Sequence, residues 1–117
     1  MNINPLVENA LAGLTYSGKL VPVSPIVNKE KVKPPVYITY YTYLDQDEFF
    51  ADDEPQGGNT YGTVDIYCKG NYKTLLSDVK TRLRAAGFGT TTGPEQYEKD
   101  TELFHVSLDF NIENTEV

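Results

Sequence analysis

Val36-Tyr37-Ile38-Thr39-Tyr40-Tyr41-Thr42-Tyr43-Leu44 alternates without a break, with Val36, Ile38, Tyr40, Thr42 and Leu44 on one side and Tyr37, Thr39, Tyr41 and Tyr43 on the other. Period-two alternation of β-branched and aromatic residues is the pattern of a half-buried strand. Pro34-Pro35 gives it an extended entry. Its exit is the acidic loop Asp45-Gln46-Asp47-Glu48-Phe49-Phe50-Ala51-Asp52-Asp53-Glu54. So many carboxylates are costly to pack against anything except water, cations or a basic partner. A tyrosine strand feeding such a loop predicts a surface built for contact with other chains, not a catalytic pocket.

Two more segments alternate in the same way. Over residues 60–69, Val64, Ile66 and Cys68 face inward while Thr63, Asp65 and Tyr67 face outward. Over residues 104–112, Phe104, Val106, Leu108, Phe110 and Ile112 alternate with His105, Ser107, Asp109 and Asn111. The loop before the first of these ends in Gly57-Gly58-Asn59 and is longer than a tight hairpin needs, with Phe49-Phe50 a place where a strand could continue.

Helical spacing takes over at residues 72–86, where Tyr72, Leu75, Leu76, Val79, Leu83 and Ala86 make an apolar stripe. Asn71 is the expected cap and Gly87 the left-handed stop, with Lys80, Arg82 and Arg84 toward the end that favours cations. A shorter helix is expected over residues 4–14, capped by Asn4, with Pro5 at its first position and Leu6, Val7, Ala10, Leu11 and Leu14 on one face. Residues 20–27 are broken by Pro22 and Pro25, which predicts an irregular edge strand or an extended arm. Residues 28–33 read as a basic, charged turn. Thr90-Thr91-Thr92-Gly93-Pro94 reads as a polar connection, with residues 88–92 a candidate short strand.

Strands with one apolar face each, and two amphipathic helices to cover that face, predict a two-layer α+β domain with a mixed or antiparallel sheet. The other sheet face stays polar, tyrosine-rich and open to partners. At 117 residues the chain is expected to form a single domain. Its 39% hydrophobic and 23% charged residues are ordinary for a globular protein. A net charge of -7 argues against non-specific nucleic-acid binding, which needs cations to displace phosphate counterions, and leaves room for a basic protein partner. Met1-Asn2-Ile3-Asn4-Pro5 lacks the positive start of a signal peptide, and no apolar run is long enough to span a membrane, so a soluble, cytoplasmic domain is expected.

Chemistry-bearing residues are sparse. The single cysteine, Cys68, excludes an internal disulfide or multi-cysteine metal site and reads as a small buried hydrophobe. His105, the single histidine, stands on the polar side of its strand, where Asp65 is a possible neighbour. Asp109 is four residues away, about 13 Å along a strand, and cannot orient it. No serine or cysteine motif supplies a nucleophile. The acidic loop starts like a calcium loop at Asp45, but its sixth position is Phe50 and its twelfth Gln56, where an EF-hand needs glycine and glutamate. A solvated loop is the preferred reading, with a loose magnesium or calcium site at an interface as the alternative. Gly57-Gly58 and Gly87-Phe88-Gly89 read as turn glycines, since no phosphate loop or dinucleotide fingerprint follows. No catalytic residue, cofactor or dedicated metal site is expected.

Several separated pieces carry a resemblance. They are Val36-Tyr37-Ile38-Thr39-Tyr40, the turn Ala51-Asp52-Asp53-Glu54-Pro55, and Val64-Asp65-Ile66-Tyr67 running into Lys69-Gly70-Asn71-Tyr72. Ala85-Ala86-Gly87-Phe88 follows, and then Thr92-Gly93-Pro94-Glu95-Gln96-Tyr97-Glu98-Lys99-Asp100-Thr101 leading to Phe104-His105. In order and spacing they cover most of the chain beyond residue 30. The chain resembles the tail-completion, or tail-terminator, proteins of long-tailed bacteriophages and prophages, particularly a group from Gram-positive hosts.

The resemblance implies a small α+β domain assembling as a homo-hexameric ring on the head-proximal end of the tail tube. There the ring ends tube polymerisation and presents the surface that joins the tail to the neck. Its partners would be other copies, the tail tube protein and a neck or head-completion protein. DNA would pass through its channel without specific binding, and no membrane is involved. The protein would reside at the neck end of the virion tail, and in host cytoplasm during assembly. No enzymatic activity is expected. The interface residues expected on this reading are Tyr37, Tyr41, Tyr43, Asp52, Asp53, Glu54, Asp65 and Tyr67. Lys31, Lys33, Arg82 and Arg84 would match them electrostatically if they lie on the opposite edge. A neck or head-completion protein of the same virion is the nearest alternative. A cytosolic binding protein and a small hydrolase are the readings from other classes.

Overall fold

Strand β4 (Val36–Gln46) pairs antiparallel with β5 (Asn59–Cys68), placing Tyr37 opposite Tyr67 and Ile38 opposite Ile66. The computed structural model describes residues 3–30, 34–46 and 59–113. Before β4 come helix α1 (Asn4–Leu11), a small hairpin of β1 (Thr15–Tyr16) and β2 (Lys19–Leu20), and β3 (Val23–Pro25). After β5 come helix α2 (Lys73–Ala85), β6 (Gly89–Glu98) and β7 (Leu103–Glu113). The main sheet has five strands in the order β3-β4-β5-β7-β6, all antiparallel neighbours except the parallel pair β3 and β4. This is the expected α+β fold, and the sheet is mixed.

Alternation decides which side is buried. Val36, Ile38 and Tyr40 of β4, Val64, Ile66 and Cys68 of β5, and Val106, Leu108 and Phe110 of β7 all point to one side. Val7 and Leu11 of α1 and Leu75, Val79 and Leu83 of α2 close the same core from that side. Fully burying one such side chain contributes about 1.5–3 kcal/mol, so this cluster dominates the stability of the fold. The hydroxyl of Tyr40 donates to Glu8 Oε1 at 2.5 Å and ties β4 to α1. Burial, then that carboxylate, holds the Tyr40 phenol well above its ordinary pKa.

Several boundaries differ from expectation. Helix α1 ends at Leu11 because Ala12 is extended and Gly13 takes φ +81°, so Leu14 is buried from the turn that follows. Its cap is Ile3 rather than Asn4, and Leu6 on the expected apolar face is exposed. Likewise α2 is capped by Tyr72, and Asn71 sits one residue earlier, accepting the Lys73 N–H at 3.0 Å. Ala86 is exposed rather than part of the stripe, because the helix has ended. Its stop is as expected: Gly87 at φ +98° lets the Gly87 N–H reach Arg84 O and the Phe88 N–H reach Leu83 O.

The largest correction is β6. Residues 89–98 form a full edge strand, extending the candidate short strand at residues 88–92 through the Gly93-Pro94 stretch where a polar connection was expected. Pro94 is tolerated because it falls in a bulge between Thr92 and Glu95, on a strand with only one neighbour. Within residues 20–27 the expected irregular edge strand is found as the short β3 with its Pro25, while Leu20 belongs to the small hairpin. The possible strand at Phe49-Phe50 lies outside the described residues, as do Lys31 and Lys33.

A candidate contact face on the uncovered side of the sheet

The side of the sheet away from the helices carries tyrosines, hydroxyls and carboxylates in register. Tyr37 lies opposite Tyr67, Tyr67 opposite His105, and His105 opposite Gln96. The next row is Thr39, Asp65 and Ser107, followed by Tyr41, Thr63, Asp109 and Thr91. Neighbouring strands stand about 4.8 Å apart, which is also a comfortable ring-stacking distance. Tyr37 and Tyr67 accordingly stack at 4.5 Å between centroids, and Tyr67 and His105 at 4.3 Å. Three rings from three strands thus form one continuous stack.

Polar bonds lock the adjacent row. His105 Nε2 is 2.9 Å from Asp65 Oδ1, and the Ser107 hydroxyl donates to the same oxygen at 2.7 Å. Thr63 donates to Asp109 Oδ1 at 3.0 Å. Sequence reasoning anticipated the Asp65 neighbour of His105 and excluded Asp109. It missed Ser107, whose place beside Asp65 depends on β5 pairing with β7 across α2 and β6. The order of contacts matters chemically. Asp65 sits between histidine and serine, so the Ser107 proton points to the carboxylate, not to the imidazole as a nucleophile–base pair requires.

Three phenols on this face, Tyr37, Tyr43 and Tyr67, are pushed above their ordinary range. Burial pushes Tyr67 up to about 12, with the charges of Asp65, Tyr37 and Glu98 adding to it and the Thr39 hydrogen bond opposing. Tyr37 is raised by burial and then by Glu98; Tyr43 is raised by burial, then by Asp109 and the neighbouring tyrosines. The common causes are loss of water by burial and then nearby negative charge. Described residues directed to this side of β4, β5, β6 and β7 include Asp65, Glu98, Asp109 and Glu113 but no lysine or arginine.

The expected interface residues divide into three groups. Tyr37, Asp65 and Tyr67 come together around the ring stack, where Tyr37 is only 8% exposed. Tyr41 and Tyr43 lie farther along the same face, 41% and 53% exposed, with their rings tilted at 6.1 Å. Asp52, Asp53 and Glu54 lie outside the described residues. Of the expected cations, Arg82 and Arg84 are on α2, across the sheet from this face, with Arg82 bonded to Ala12 O and Arg84 to the Thr90 hydroxyl.

Elsewhere, a shallow groove of about 410 Å³ runs between the small hairpin and the start of β4, with Leu20, Val21, Pro22, Pro35 and Val36 among its lining residues. Among the described residues no group of three or more histidine, cysteine or acidic side chains is placed to hold a metal. No described helix is long and apolar enough to cross a membrane. Comparison with protein-family models gives no match, and no curated protein is significantly similar.

Proposed function

We propose that this protein is a structural assembly protein of a long-tailed bacteriophage or prophage, acting as a tail terminator. It assembles as a hexameric ring on the head-proximal end of the tail tube, ends tube growth and offers the surface on which the neck docks. The observation that carries the reading is the sheet face left open by both helices, where Tyr41 and Tyr43 project beside the ordered Asp65–His105–Ser107 cluster. Aromatic residues on a rigid, partly wet surface are the side chains that most often dominate protein–protein binding. The resemblance of the separated sequence pieces supplies the setting, and the acidic character of the face suits a channel-forming or basic-partner role better than phosphate binding.

Electron microscopy of a phage lacking this protein tests the proposal. Overlong, unfinished tails are the expected result. Normal-length tails detached from heads would replace the terminator reading with a neck or head-completion role, and normal virions would overturn both.

A further inference from the structure

Among the described residues, the two sides of the domain carry opposite charge. Helix α2 holds Lys73, Lys80, Arg82 and Arg84 against a single carboxylate, Asp78, in a chain whose net charge is -7. Lys73, Ser77, Lys80 and Arg84 follow one another at i, i+4, i+7 and i+11, so they form one stripe along the helix, roughly 16 Å long at 1.5 Å per residue. The opposite side of the domain is the acidic tyrosine face. These two surfaces cannot meet within one chain, because the sheet lies between them.

Other routes of self-association are less favoured. At one sheet edge β3 has only three residues and contains Pro25, with Pro22 just before it. At the other, β6 is interrupted by a bulge containing Pro94. Short, proline-bearing and bulged edges resist strand addition. Two tyrosine faces meeting symmetrically would bring carboxylates against carboxylates. A head-to-tail contact avoids both problems.

We propose that the tyrosine face of one copy docks on the basic stripe of α2 of a second copy, in a heterologous contact that repeats from subunit to subunit. The exposed rings of Tyr41 and Tyr43 offer flat surfaces on which the aliphatic stems and cationic ends of Lys80 and Arg84 pack, while Asp109 and Glu113 balance their charge. The contact rests on the ring reading above and assigns the two surfaces that would build it.

The test is self-association by sedimentation, with and without purified tail tubes, using full-length variants whose melting is monitored by circular dichroism. Asp109→Lys with Glu113→Lys, and separately Lys73→Glu with Lys80→Glu, each weaken association at least tenfold. Mixing the two variants restores it, because the reversed face then meets a reversed helix. Tyr41→Ala with Tyr43→Ala gives the same loss without altering charge and serves if a reversal fails to fold. Wild-type rings that persist in all these variants overturn the assigned contact but leave the terminator reading standing. A wild-type chain that is monomeric even with tubes overturns both.

Discussion

His105 Nε2 and the Ser107 hydroxyl converge on one oxygen of Asp65, at 2.9 and 2.7 Å, from the strand next to the one that carries the carboxylate. One acceptor therefore satisfies two half-buried groups and fixes the histidine ring over Tyr67. Removing the acceptor strands both donors, at a cost of about 1–3 kcal/mol. Asp65→Ala is expected to lower the free energy of unfolding in urea by that amount. Asp65→Asn, which keeps an acceptor, should lose less. Equal loss in the two variants would mean that the hydrogen bonds do not organise this row.

The tyrosines make stability fall at high pH. A phenol whose folded pKa lies above its unfolded value contributes stability that is complete below the unfolded value and is lost as pH rises through the folded one. For Tyr67 that window runs from the ordinary value of 10.0 up to about 12. Tyr37 and Tyr40 act in the same direction. Unfolding followed across this window should show declining stability, and Tyr67→Phe should flatten the slope. An unchanged slope in Tyr67→Phe would contradict the assignment.

Among the described glycines, Gly62 is the most tightly packed. A β-carbon there would stand 2.3 Å from Phe110 Cζ and 2.4 Å from the Tyr41 carbonyl oxygen. Because one of those atoms is backbone, relief requires the strands to shift. Gly62→Ala is expected to destabilise by about 1–3 kcal/mol, as overpacked cores do. Denaturant titration checks it, and a neutral result would place Phe110 elsewhere.

Gly87 tests the helix stop. At φ +98° any side chain is strained, so Gly87→Ala should cost about 1–2 kcal/mol. The loss should appear as earlier hydrogen exchange at the end of α2, where Gly87 and Phe88 donate to Arg84 and Leu83. Unchanged exchange at those amides would contradict it.

Much of this was legible in the chain because period and punctuation agreed. Residues 36–42 alternate as expected, but a bulge between Thr42 and Leu44 shifts the register, so that Leu44 pairs with Tyr61 on the polar side instead of continuing the apolar row. Leu75, Val79 and Leu83 ahead of Gly87 mark α2, since each local signal points to the same element. Only the start of the edge strand β6 was legible, because its residues are mostly exposed and include Gly93 and Pro94, so its length shows in neither alternation nor an apolar run. The contact face was half legible. Alternation told which tyrosines share a side, but the three-ring stack depends on β4, β5 and β7 lying adjacent, and strand order is a tertiary property. Tyr37 shows the consequence: it shares a side with Tyr41 and Tyr43, yet stacking on Tyr67 leaves it largely buried.

The exposed pair Tyr41 and Tyr43 separates folding from assembly. Their replacement by alanine should leave stability within about 0.5 kcal/mol, as surface substitutions usually do. A large loss of stability would make them part of the fold rather than of a contact.

Native mass, taken on the protein alone and with purified tail tubes, tests the central claim most directly. A ring of copies seated at tube ends is the predicted result. A strict monomer that never binds the tube would contradict the account.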